Sequence, residues 1–475
     1  MGCRRRPVIH LIMTFFRQVP ASPHAVRRHI LEGRPSRRTA PTNERRPAMD
    51  IYVVRSGDSL YRIAQNAGVP ESRIIADNGL TSSTNLVPGQ TLVIQYPGRV
   101  HTVSGGETLR SIAERYGVTI NQLLRNNPQL GGLPAIYPGQ TLVIDYNQPK
   151  QGEMSVNGYA YPYIDREVLR RTLPYLTYIT LFTYGFTPEG NLIDLDDEEV
   201  IRIAREYGVA PLMLISTLTE EGTFSNQLAS AVLNNPEAQN RLIDQILANL
   251  QAKNYHGLDV DFEYILPEDR AAYVDFIRNV TTRLNAAGSQ VITALAPKTS
   301  SDQPGLLYEA HDYRGIGEAS NFVLLMTYEW GYAYGPPMAV SPLNKVQEVI
   351  DYAVTQIDRN KIFMGMPNYG YNWTLPFVKG TSQAQSISNV GAVELAGQVG
   401  AYIQYDPVAQ APHFNYYDEQ WREHEVWFED ARSVRAKLDL VPLYGLRGVS
   451  YWNIMKFFPQ NWAVLNALYT IRRVL

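Results

Sequence analysis

The stretch Tyr255-His-Gly-Leu-Asp-Val-Asp-Phe-Glu263 constrains this chain more than any other. Side chains alternate across a strand, so Gly257, Asp259, Asp261 and Glu263 share one face while Leu258, Val260 and Phe262 share the other. An edge strand can carry a solvated acidic face, but Asp suits strands poorly and an edge does not need its other face wholly apolar. The pattern predicts a strand in a closed sheet, apolar outward beneath helices and acidic inward. Successive carboxylates then stand roughly 6.5–7 Å apart, the last at the open end.

The surroundings agree. Short apolar strands alternate with helical patterns over residues 153–475, which predicts parallel β/α units. Strands are expected near 155–161, 178–184, 210–217, 257–264, 290–296, 322–328, 362–367 and 448–452. Eight fit an α/β fold, a closed (β/α)8 TIM barrel with its chemistry at the carboxyl ends of the strands. The interval from about 373 to 428 is too long for a simple connection and reads as a small α+β insertion walling one side of the cleft.

Two segments upstream repeat at an offset of about fifty residues. Y-V-V-R-S-G-D-S-L-Y-R-I-A from Tyr52 closes with L-V-P-G-Q-T-L-V-I, and H-T-V-S-G-G-E-T-L-R-S-I-A from His101 closes with I-Y-P-G-Q-T-L-V-I. Each unit reads strand, helix, helix, strand, over 50–96 and 99–146, with turns opening at Ser56 and Ser104 before helices carrying Leu60 and Ile63, or Leu109 and Ile112. Those apolar residues are the core of a small domain. The units resemble LysM modules, which implies binding of N-acetylglucosamine-containing glycans, peptidoglycan or chitin, in a shallow groove between loops. With a linker at 146–152, modules and barrel are expected to fold separately, the modules serving retention on a polymer.

Residues 1–48 hold 11 Arg against 2 Glu, so the remaining chain carries 32 basic and 44 acidic residues, a net of −12. That argues against a nucleic-acid partner. The arm reads as a disordered or non-native extension, or as a secretory signal with a weak apolar centre. Its apolar run, Val8 to Phe16, is too short to span a bilayer. The single cysteine, Cys3, precludes an intrachain disulfide framework. His311, His413 and His424 lack metal spacing, and no cofactor or metal is called for. The expectation is a monomer with no integral membrane span.

Three carboxylates on one strand cannot easily reach both faces of a sugar, as a two-carboxylate glycosidase requires. Burial and mutual repulsion should keep Glu263 protonated as the acid. A substrate 2-acetamido group can then supply the nucleophile, with Asp261 bonding its N–H as the oxazolinium ion develops.

Gly257-Leu-Asp-Val-Asp-Phe-Glu263 resembles the D-G-x-D-x-D-x-E signature of glycoside hydrolase family 18, and Met326-Thr-Tyr-Glu-Trp330 resembles that family's sixth-strand motif. The resemblance implies Glu263 as general acid, Asp261 as acetamido-orienting group, Asp259 as its support, Tyr328 as second acetamido partner and Trp452 as aromatic floor. His256 occupies the place of the signature's first Asp and is expected to turn away from the ladder, packed or solvated. Trp330 and Tyr371, with Tyr332, Tyr334 and Trp373, are aromatic candidates for stacking on sugar, although such residues also serve as core.

Two modules before such a barrel, with D-F-E-Y, M-T-Y-E-W-G-Y and Y-G-P-P, are similar to the spore germination and cortex-lytic N-acetylglucosaminidases. That implies peptidoglycan cleavage at N-acetylglucosamine, in the spore cortex or coat or the cell wall. A chitinase fits the same mechanism, and a non-catalytic lectin is the alternative from another class.

Overall fold

The computed structural model describes residues 49–80, 86–146, 149–219 and 222–475. The arm 1–48, with Cys3, and part of the linker lie outside the described residues.

Eight parallel strands close the barrel: β1 Gly152–Ala160, β2 Tyr178–Phe186, β3 Ala210–Ser216, β4 Gly257–Asp261, β5 Gln290–Leu295, β6 Phe322–Leu325, β7 Ile362–Pro367 and β8 Gly448–Trp452. Each pairs with the next, and β8 pairs back onto β1 with Gly448 opposite Ser155. The alternation along β4 is realised. Leu258, Val260 and Phe262 are buried in the core between strands and helices. A second cluster fills the barrel interior, with Tyr159, Leu212, Leu214, Ile292, Leu324 and Phe363 among its members.

Two strands end a full three residues sooner than their sequence suggests. β4 stops at Asp261, and Tyr264 takes a left-handed φ of 56°. β6 stops at Leu325, where Thr327 N–H bonds Leu325 O at 2.8 Å, Tyr328 N–H bonds Met326 O at 2.9 Å, and Glu329 has φ 65°. In both places the chain leaves the ladder to cross the barrel mouth. Residues after the last ladder bond no longer obey strand alternation.

The insertion is a five-stranded antiparallel sheet in the order Gln385–Ile387, Gly370–Thr374, Glu423–Trp427, Ala411–Tyr417, Gln404–Asp406. It carries the helix Asn389–Val399.

Each repeat forms a two-stranded antiparallel ribbon around two helices: Met49–Val53 with Thr91–Gln95, and Pro97–Thr102 with Thr141–Tyr146. The helix caps fall three or four residues beyond Ser56 and Ser104. Ser59 accepts from Arg62 N–H, and Thr108 forms a reciprocal capping box with Ser111.

The modules, expected from the sequence to be separate folding units, pack closely against the barrel. Helix Pro459–Leu468 of the barrel has all ten residues buried, because both modules cover it. Gln460 accepts from the Thr91 hydroxyl at 2.8 Å and donates to Asn78 at 3.2 Å in the first module. Asn466 accepts from Arg125 at 3.1 Å and donates to Asn126 at 2.9 Å in the second. Met49 and Val93 join the barrel's own core cluster.

Candidate active site

The cleft opens at the carboxyl ends of the strands, with a volume of about 500 Å³. Asp261 and Glu263 lie on its floor with Tyr328, Glu329, Tyr371 and Trp452 around them. Asp259 sits one step deeper and is fully buried. The Tyr159 hydroxyl donates to Asp259 Oδ2 at 2.6 Å, which ties the lowest carboxyl to β1. Asp259 Oδ1, Asp261 Oδ1 and Glu263 Oε2 are buried with no hydrogen-bond partner among the described residues. Buried acidic oxygens are rarely left so, which marks where protons and substrate atoms are received.

Burial dominates the electrostatics. It raises Asp259 to about 8, aided by Asp261 and opposed by the Tyr159 hydrogen bond. Burial likewise raises Asp261 to about 7. Glu263 is pushed well above the carboxylate range by burial and by the charges of Asp261 and Glu329. A carboxyl held protonated near neutrality can donate a proton to a leaving oxygen. Tyr328 is also raised, by burial and then by the surrounding carboxylates, so its phenol remains a donor.

The backbone beneath Glu263 is pinned. His311 Nδ1 accepts from Ala296 N–H at 3.0 Å, so its Nε2–H donates to Phe262 O at 3.2 Å, and burial lowers its pKa to about 4. Phe262 stacks between Tyr273 and Phe276, with centroids 5.9 and 5.6 Å away. Neutral His311 therefore fixes the residue preceding the acid.

Residues 163–456 match the pattern of Glycosyl hydrolases family 18, and residues 52–95 and 101–145 each match the LysM domain. The chain belongs to family 18. It is a family-18 glycosidase with two LysM modules. It is 40% identical to the cortical fragment-lytic enzyme of Bacillus anthracis, over 90% of this chain and 99% of that one. The Bacillus megaterium spore cortex-lytic enzyme SleL superposes with a TM-score of 0.77 at 38% identity, covering 90% of this chain and all of the other. A chitinase from Chromobacterium violaceum matches 66% of this chain and 98% of its own, at 26% identity and a TM-score of 0.62.

Within this family-18 cleft the structure brings together Asp261, Glu263, Tyr328, Tyr371 and Trp452. Trp452 stands edge-on to Phe182 at 5.1 Å and Tyr159 at 5.6 Å. Trp330, expected among the aromatic candidates for stacking on sugar, does not line this cleft. The left-handed turn at Glu329 sends it the other way, and its ring packs on the core between strands and helices. Trp373 is buried, its indole donating to Gly335 O at 2.8 Å. His256 lies at a bend just before β4, so alternation does not set its direction. Its ring stands 6.0 Å from Tyr178 of the barrel interior, so of the two expected surroundings, packed or solvated, it has the packed one.

Sequence reasoning missed Glu329 as a member of the site. It is buried in the cleft wall and raised by burial to about 7. Tyr369 donates to its Oε1, and Tyr371 lies 3.1 and 3.2 Å from its two oxygens. The visible signal was Glu329 itself, inside the sixth-strand motif. Tyr159 was legible only as one interior tyrosine among many. Among the described residues no cluster of three or more His, Cys, Asp or Glu is arranged to hold a metal ion, and no helix is long and apolar enough to cross a membrane.

Proposed function

We propose that this glycosidase cleaves peptidoglycan at N-acetylglucosamine by a retaining, substrate-assisted reaction during spore germination. The observation that carries the reading is the buried ladder Asp259–Asp261–Glu263, whose outermost carboxyl is held protonated at the cleft floor. Glu263 gives its proton to the glycosidic oxygen as the C1–O bond breaks, and the acetamido carbonyl oxygen closes onto C1. Asp261 accepts the acetamido N–H and balances the oxazolinium charge, while the Tyr328 phenol steadies the acetamido oxygen. Asp259, tied to Tyr159, supports Asp261 from below. Water then adds to C1 as the Glu263 carboxylate takes its proton, and the ring opens with net retention. Trp452 forms the apolar floor beneath the sugar and Tyr371 lines its flank.

Glu329, a further carboxyl of the cleft wall, is a candidate enzymic nucleophile instead. Both its oxygens are engaged by tyrosine hydroxyls, which favours the substrate-assisted reading over a covalent one. The similarity to cortex-lytic enzymes spans modules and barrel alike, which supports peptidoglycan over chitin and a place in the spore cortex, coat or cell wall. The enzyme would act as a monomer there. Digesting purified cortex peptidoglycan and chitin side by side, with mass analysis of the products, tests the reading. Preferential release of chitin fragments sinks it, and so does a sugar trapped covalently on Glu329.

A further inference from the structure

A second cleft, of about 860 Å³, lies between the first module and the inserted subdomain. The module contributes its turn at Val87–Pro88 and the end of its second helix at Gly79. The insertion contributes the face of helix Asn389–Val399 and the loop reaching Tyr402. The turn is locked in place. Ile403 N–H bonds Pro88 O at 3.0 Å, and Val87 is buried among the insertion's own core residues.

This second cleft adjoins the catalytic one along two walls. On the first, Ser386, Ile387 and Ser388 line the catalytic cleft and the next residues, Asn389 and Val390, line the second. On the other, Met455 and Lys456 line the catalytic cleft, and Phe458, Pro459 and Gln460 line the second. Adjacent Cα atoms are about 3.8 Å apart, so each wall passes from one cleft to the other within a residue or two. The lining suits an N-acetylated sugar. Tyr402 is 59% exposed and offers a ring face. Val390, Val393 and Pro459 are apolar. The Asn389 amide is buried with its Nδ2 unpartnered among the described residues, while its Oδ1 accepts from Glu429 N–H at 2.9 Å.

We infer that the glycan strand cut at Glu263 continues out of the barrel into this second cleft, so that the first module, the insertion and the barrel grip one strand. The inference rests on the peptidoglycan reading above and extends it. The first module is then a distal subsite of the hydrolase, and strand length determines how many of its contacts are made.

The experiment measures kcat/KM of the full chain on a short soluble N-acetylglucosamine oligomer and on long soluble glycan strands stripped of peptide. Two variants are compared with the parent: Val393→Trp, which fills the second cleft from the helix face, and Tyr402→Ala, which removes the exposed ring without touching the core. The ratio of long-strand to short-oligomer kcat/KM is expected to fall roughly tenfold in Val393→Trp and severalfold in Tyr402→Ala, because contacts along one strand reinforce one another. Ratios equal to the parent's in both variants overturn the inference. A parent that hydrolyses N-acetylated glycan with no preference for length overturns it too and leaves the peptidoglycan reading standing. A parent inactive on every such glycan removes that reading itself.

Discussion

Glu263 can work as an acid because burial and the charges of Asp261 and Glu329 make its ionisation costly. Glu263→Gln retains shape and burial but has no proton to give, so turnover should fall by roughly 10²–10⁴ or more while glycan binding persists, as assayed on soluble fragments. The smaller of the two charges that raise Glu263 is that of Glu329. In the alkaline range Glu329 is ionised, since it titrates at about 7. Glu329→Gln removes that charge, so Glu263 should lose its proton at lower pH and the basic limb of the kcat/KM profile should move down. An unmoved limb would show that Glu329 does not act on the acid. Asp259 gives a stability test of the same burial. Its folded pKa of about 8 lies above the unfolded carboxylate value near 4, so it favours the folded state below that lower value and loses this contribution as pH rises towards 8. Asp259→Asn should therefore raise Tm relative to the parent at alkaline pH and not near pH 4, by roughly 1–2 °C per kcal/mol for a cooperative unit of this size. Scans across that pH range check the sign.

At the scale of elements, what was legible in the sequence was whatever a period of two or a repeat could carry. β7 and β8 coincide with their expected ranges, and β4 shows its acidic inward and apolar outward faces. The residues that leave the ladder were harder to place. Glu329, Trp330 and Tyr371 follow strand ends where the direction of a side chain depends on a left-handed turn or on the insertion's own sheet, neither of which alternation encodes. Docking of the modules was invisible because the repeats look equivalent in sequence. Gly89 and Gly139 occupy the same turn at φ 89° and 86°. A Cβ on Gly139 would meet open space, whereas one on Gly89 would lie 1.9 Å from Ile403 O. Gly139→Ala should cost only the backbone strain, about 1–2 kcal/mol. Gly89→Ala must also part the first module from the insertion, so it should lower Tm by clearly more. Equal losses, measured by thermal denaturation, would mean that this contact adds nothing to stability.

For the molecule as a whole, the decisive element is helix Pro459–Leu468, which is polar where it meets the modules and apolar where it meets the barrel. Gln460 and Asn466 are buried and satisfied by partners in the modules. Arg125, from the second module, is buried and also donates to Pro174 O at 2.9 Å, while burial and the nearby Arg473 lower its pKa to about 9. A guanidinium in that position is tolerated only while the carbonyl and amide around it stay in place. Parting modules from barrel would uncover the Met49 and Val93 packing and strand these polar groups on both sides. Linked but independent domains unfold in separate steps, whereas a shared core couples them. The full chain should accordingly show one dominant calorimetric transition, with calorimetric and van't Hoff enthalpies close to each other, rather than an early peak for the modules. Residues 149–475 alone should melt well below the full chain, because helix Pro459–Leu468 then faces water. Asn466→Ala in the full chain should lower the single transition without splitting it. A module transition resolved from the barrel's, or a truncated barrel as stable as the full chain, would restore the tethered arrangement that the linker suggested.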